Sequence, residues 1–325
     1  MLRTGWLTLV GGLAVGSIAW GKDGVAEQTH VLRAASGSSP RPTECRTSGP
    51  DRAFTFWDRA RDPRLVRYCN LLAKGYARLE TDAADALKAA RLAGELEPKR
   101  SAPRVLEARA LVGQGRMSDA FHIFEQVLRQ ANPPELSPAG LYAYAVAAVG
   151  SDQIEQGLGA YRRVVPMASL LTGAGSSERV YVEAAVLVMR QGQAHLQEAV
   201  AYLNEARRRN ADLALRPFVL SALALALDRQ GRHEEARGVA REAHGHTALL
   251  MAAAAPPASG APGPALPSRV RLPRVDPVEL VAMAAMLAAA DDAELARQYW
   301  KDFLERAPAN HPWLAHARSK LAVRG

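Results

Sequence analysis

Cysteine, aromatic residues and long apolar runs are all scarce in this chain. Two cysteines among 325 residues cannot supply a four-ligand zinc site or a dense disulfide scaffold. Aromatic residues make up only 6%, so a core has to be filled mainly by Ala, Leu and Val. Beyond the N-terminus no stretch is long and uncharged enough to cross a bilayer, which needs about 20 apolar residues. The signatures HExxH, GxxxxGKS/T and GxSxG are missing as well. Metal hydrolysis, phosphate cradling and the serine elbow therefore lack their usual marks. No cofactor is expected, and a non-enzymatic role leads. Hydrophobic residues at 48% and charged residues at 23% match an ordinary globular chain and exclude a wholly disordered one. Alanine, the strongest helix former, lets helices approach closely, so the expected fold class is all-α.

The N-terminus reads as targeting sequence rather than fold. Arg3 gives a short basic start, residues 6–20 are apolar and uncharged, and Ala19 and Gly21 place small residues before a potential cut. Residues 1–21 are thus a cleaved secretory signal or an uncleaved anchor, with a cytoplasmic chain as a third alternative. The first two lead, so the expected location is periplasmic or secreted, with membrane contact only through an uncleaved N-terminal segment. Residues 22–50 are rich in Gly, Ser, Pro and Thr and read as a flexible lead-in. Residues 245–275 hold six prolines, from Pro256 to Pro273, and read as a linker. That leaves 51–244 and 276–325 as the organised parts.

Within them a small residue recurs, followed by apolar residues at +4 and +7. The sets are Ala86, Ala90, Ala93; Ala120, Phe124, Val127; Gly157, Tyr161, Val164; Ala199, Leu203, Ala206; Ala236, Ala240, Ala243; and Ala296, Trp300, Phe303. The first five anchors follow one another at 34, 37, 42 and 37 residues, which is the period of a stacked helix pair. A side chain larger than alanine at the anchor would push two crossing helices apart. Preceding helices carry Leu72, Ala73 and Tyr76, then Leu106, Ala108 and Leu111, then Leu223, Ala224 and Leu227. The turns 113–120 and 229–236 each hold a Gly for a left-handed C-cap. The first helices of units three and four are weakly marked.

At these residues the chain resembles the tetratricopeptide repeat family. Residues 105–133 and 222–243 match most clearly, and 76–98 and 291–308 match in part. The resemblance implies an α-solenoid, a superhelix of antiparallel helix pairs, closed here by a capping helix over 312–322. In that cap Trp313, Leu314 and Leu321 cover the last repeat, while Arg318 and Lys320 face water. It also implies a concave groove that holds a protein or peptide segment. Groove positions project onto Arg67, Asn70, Lys74 and Arg78, then Arg109, Tyr142, Tyr181, Phe218 and Ser221. This gives a basic mouth suited to an acidic or carboxylate end and an aromatic middle. A plainer reading makes the cations a solvated helix face and the aromatics packing between repeats. The implied function is an interaction adaptor or scaffold of the cell envelope. The alternative is a helical platform of an envelope-polymer enzyme or its accessory subunit.

The formal net charge is +8 and would attract anionic partners. The basic runs at Arg207–Arg209 and 269–274 are scattered and lack neighbouring aromatics, which argues against nucleic acid. Cys45 and Cys69 either pair and staple the lead-in to the first repeat helix, or stay as separate thiols. No metal site is expected: His244 and His246 stand close in sequence, but no carboxylate cluster supports them. The pairs Asp291–Asp292 and Glu234–Glu235 open helices, where the dipole favours negative charge.

Overall fold

A computed structural model describes Cys45 and residues 60–171, 177–209, 215–243 and 274–322. The chain divides into two compact units, Met1–Gly37 and Ser38–Gly325. The first unit, the lead-in apart from Cys45 and nearly all of the 245–275 linker lie outside the described residues, as do His30, His244 and His246.

The second unit is all-helical, with no strand among the described residues. Among the described residues six helix pairs succeed one another: α1 (Pro63–Arg78) with α2 (Ala83–Leu96), α3 (Ala102–Gly113) with α4 (Met117–Leu128), α5 (Pro138–Gly150) with α6 (Ile154–Val164), α7 (Ser177–Arg190) with α8 (Leu196–Arg209), α9 (Arg216–Arg229) with α10 (His233–Glu242), and α11 (Pro277–Ala288) with α12 (Ala293–Arg306). A short helix α13 (Leu314–Ala322) follows. Each second helix also packs on the first helix of the next pair, and α1 touches α3, α3 touches α5, α7 touches α9 and α9 touches α11.

All six anchors lie on the second helix of their pair. Ala86, Ala120 and Ala199 are 0% exposed. At Gly157 a Cβ would sit 2.5 Å from the Val149 side chain, 3.2 Å from its backbone nitrogen and 3.3 Å from the Ala145 carbonyl. The +4 and +7 residues of every set are buried. Phe124 meets the Tyr144 ring edge-on at 5.7 Å and Trp300 meets His316 at 5.7 Å, each on the helix that comes next. In the first pair the buried small residue of the leading helix is Gly75, not Ala73, which is exposed. A Cβ on Gly75 would meet Leu106 at 2.5 Å.

Turn and start chemistry explain the pairing locally. Gly115 (φ 78°) and Gly231 (φ 81°) end α3 and α9 in the left-handed region. There Arg116 N–H bonds back to the Leu111 carbonyl and Arg232 N–H to that of Leu227, both at 3.0 Å, closing a Schellman cap. Asp152 (φ 61°) does the same work after α5, with Gln153 N–H on the Ala148 carbonyl at 2.8 Å. Prolines in the first turn open α1, α3, α5, α9 and α11, where a missing N–H and a fixed φ are no handicap.

The last pair departs from a simple stack. The end of α9 meets the end of α7: Arg229 donates to the Met189 carbonyl at 3.1 Å. Helix α11 begins at that same end, where Glu279 in its first turn pairs with Arg190. Since α11 packs along α9, it runs antiparallel to it, whereas a continued repeat would run parallel. It belongs to the same compact unit as the preceding pairs. Lys320 does not face water as the capping expectation has it; it pairs with Asp228, while Arg318 is exposed.

Cys45 and Cys69 are joined as a disulfide across 24 residues, with Cα atoms 5.6 Å apart. Two outcomes follow. Reducing the bond should lower stability by about 3 kcal/mol in the chain-entropy picture, read as a drop in the urea midpoint on adding reductant. Gly157→Ala gains about 1 kcal/mol of helix propensity, but its Cβ meets the stiff, branched Val149 side chain at 2.5 Å with backbone close behind, an overpacking worth about 1–3 kcal/mol. A lower thermal midpoint is expected, and an unchanged or higher one would show that the crossing is not tight.

Candidate functional site

Helix α1 is amphipathic. Val66, Tyr68, Cys69, Leu72 and Gly75 turn inward, which leaves Arg67, Asn70, Lys74 and Arg78 exposed. They stand at intervals of three and four residues and so share one side of the helix. Lys74 lies 3.0 Å from Asp85 and Arg78 3.9 Å from it, so two cations lean on a single carboxylate at the start of α2. Arg109 on α3 places its guanidinium 5.4 Å from the centre of the Tyr76 ring, and burial pushes its pKa down. Of the projected basic positions, those on α1 are exposed together on one side, whereas Arg109 is drawn back against Tyr76.

The projected aromatic middle lies in the interior. Phe218 is 0% exposed, and Ser221 beside it is equally enclosed, donating to the Phe218 carbonyl at 3.2 Å. Tyr181 is buried under the Arg209 guanidinium, 5.4 Å from its ring centre, with its hydroxyl 3.5 Å from the Val165 carbonyl. The reason is that the middle leading helices show no free face. Every residue of α7 from Glu178 to Met189 is buried, and so is every residue of α9 from Pro217 to Asp228.

Tyr142 belongs to a buried polar cluster that the sequence reading missed. Its hydroxyl donates to Glu183 Oε2 at 2.9 Å, and Tyr161 donates to the same oxygen at 2.8 Å. Arg179 Nε donates to the Tyr142 hydroxyl at 3.1 Å and stands 3.7 Å from Glu183 Oε1. Burial, reinforced by the Glu183 charge, raises both tyrosine pKa values well above normal. The signal in the sequence was slight: two charges, Arg179 and Glu183, four residues apart in the otherwise apolar run RVYVEAAVLVM.

A second polar seam fastens the C-terminal residues. Trp313 is fully buried, its indole N–H 3.3 Å from the Met189 carbonyl and Arg229 over its ring at 5.3 Å. Asp228 is surrounded by His233 (2.7 Å), His316 (3.0 Å) and Lys320. Burial alone would raise its carboxyl, but the close approach of those three groups outweighs burial and holds it well below the usual carboxylate range. His311 faces Glu279 at 4.0 Å. Burial, then the Arg190 charge, lowers its pKa to about 4, while burial raises that of Glu279. Among the described residues no His, Cys, Asp and Glu group could hold a metal.

His311 sets a pH dependence. In the unfolded chain imidazole takes up a proton below about 6.5, whereas folded His311 resists until about 4, so its contribution disappears as pH falls between those values. The full loss is about 3 kcal/mol, offset in part by Glu279, which takes up a proton more readily when folded. The difference in unfolding free energy between wild type and His311→Gln should therefore shrink from pH 7 to pH 4.5, and a difference that stays constant would refute the assignment. Compared with protein-family models and with curated proteins, the chain matches none.

Proposed function

We propose that this chain is a tetratricopeptide-like α-solenoid that captures a partner segment without catalysis, through the exposed basic side of its first pair. One observation carries the reading: Arg67, Asn70, Lys74 and Arg78 stand exposed along one side of α1, with Asp85 as the carboxylate that Lys74 and Arg78 share. Such a surface favours an extended segment with an acidic or carboxylate end, held by charge-assisted hydrogen bonds. The recurring helix pairs with buried small anchors support the solenoid. The Cys45–Cys69 bond suits an oxidising compartment, and with the apolar N-terminal run it supports an envelope or secreted location. No described helix is long and apolar enough to cross a membrane.

The test is fluorescence anisotropy with a labelled ten-residue Asp/Glu peptide bearing a free C-terminal carboxylate. Arg67→Glu with Lys74→Glu should weaken binding at least tenfold, about 1.4 kcal/mol, and 0.5 M salt should do the same to the unaltered protein. Both positions are exposed, so helical content should not change. Equal affinity for both proteins would overturn the reading.

A further inference from the structure

The cluster around Glu183 does more than hold helices together. Its two tyrosines both occupy Oε2, which leaves Oε1 turned elsewhere. What it meets is backbone: the main-chain N–H of Arg274 donates to Glu183 Oε1 at 2.8 Å across 91 residues of sequence. Arg274 itself is exposed while Glu183 is 3% exposed, so the carboxylate lies directly beneath a surface strand of chain. Val275 then packs on the core, and Asp276 reaches to 3.8 Å from Arg190. Glu183 and Arg190 are two helical turns apart, roughly 10 Å, a span that three extended residues match. The segment Arg274–Asp276 therefore lies along α7, with one backbone N–H bonded at one end and one carboxylate near a guanidinium at the other.

Core packing does not require this arrangement. Among the described residues, the crossings between the first pairs are closed largely by alanine, leucine and valine, with a few aromatic rings. A buried carboxylate and guanidinium lose hydration that their mutual attraction rarely returns, and well-packed apolar residues hold such a seam equally well. What apolar residues cannot do is accept a hydrogen bond from a peptide backbone. Glu183, aimed by Tyr142 and Tyr161 and flanked by Arg179, does that.

We propose that Glu183, Tyr142, Tyr161, Arg179 and Arg190 form a receptor for an extended peptide with an acidic residue two places after the bonded amide, and that Arg274–Asp276 fills it as a built-in ligand that a partner segment displaces. The displacement rests on the proposed capture of acidic segments; the receptor stands without it.

The experiment uses the full chain and the acetylated, amidated peptide LPRVDPV, which is residues 272–278. Arg274→Pro deletes the N–H that Glu183 holds, and its fixed φ suits extended backbone. This variant should bind the peptide at least tenfold more tightly than the unaltered protein. The same peptide carrying Lys in place of Asp276 should lose that gain, and so should Glu183→Gln added to Arg274→Pro. The Lys-bearing peptide and Glu183→Gln report on this site, while the Asp/Glu peptide reports on the α1 surface, so the two readings fail separately. Equal affinity of unaltered and Arg274→Pro proteins, or no binding by a folded Arg274→Pro protein, would overturn the proposal. Amide exchange provides a measurement on the unaltered chain. The Arg274 N–H should exchange at least a hundredfold faster than the central amides of α7, and faster still with millimolar peptide. Exchange at the rate of those α7 amides, unaffected by peptide, would show that the segment opens only with the whole fold and would sink the idea.

Discussion

Close approach of two helices at a side chain no larger than a methyl group is the constraint on which the rest of this structure depends. Gly75 and Gly157 sit at such approaches, where Leu106 in one case and Val149 with the Ala145 carbonyl in the other leave no room for a Cβ, and Ala86, Ala120, Ala199 and Ala236 on the second helices have almost no exposed surface. With few aromatics, the chain cannot fill wide gaps, so it brings backbones near enough for alanine and leucine to make a dense interior. The larger side chains are then reserved for the step from one pair to the next, as Phe124 against Tyr144 and Trp300 against His316. Pairs formed this way keep an uncovered apolar side and must pack on a neighbour.

How legible a helix was in the sequence follows from how many of its sides are buried. The second helices α2, α4, α6, α8, α10 and α12 have one side in solvent, so their apolar residues recur at helical spacing and the anchors could be read directly. The middle leading helices are enclosed on every side, as in PAGLYAYAVAAVG of α5 and SERVYVEAAVLVMR of α7. An apolar run has no period, which is why these two were weakly marked. The same enclosure is why Tyr181 and Phe218, placed on an open wall by analogy with repeats whose inner side is wet, lie in the interior. Sequence spacing also could not tell that α11 enters from the end where α7 and α9 finish, because direction is set after the chain leaves the pattern between α10 and α11. Charge was the other blind spot: Lys320 looked like a solvated residue, and its partner Asp228, 92 residues earlier, is what draws it partly out of solvent.

The two kinds of seam divide the molecule by chemistry. Between the first five pairs, contacts are largely alanine, leucine and valine, which bury area without demanding a particular partner atom; the cluster of Tyr142, Tyr161, Arg179 and Glu183 between the third and fourth is the polar exception. The last pair is tied to α7 and α9 by apolar contact along α11 and, at its margins, by groups that must be matched: Arg190 with Glu279, Lys320 and His316 with Asp228, the Trp313 indole with a backbone carbonyl, and Arg274 with Glu183. Hydrogen-bonded and ionic contacts of this kind contribute little net energy for their number, yet they are severe when one member is left unpaired. A seam so built has one good register and a steep penalty for half-open states.

That property connects the basic side of α1 with the covered face of α7. The open cations lie at the start of the chain of pairs, and the acceptor of a peptide backbone lies further along, beneath the chain's own extended segment. In the proposed exchange, an incoming acidic segment that replaces Arg274–Asp276 has to supply a backbone N–H to Glu183 and a carboxylate near Arg190; without the N–H, Oε1 loses its backbone donor while Tyr142 and Tyr161 keep Oε2. The penalty for a mismatch falls on a group already removed from water, where it is largest. In the proposed capture, selectivity at that position comes from the cost of leaving Glu183 Oε1 without its backbone donor more than from attraction to the segment itself, while the exposed cations of α1, in full contact with water and salt, govern the rate and range of encounter.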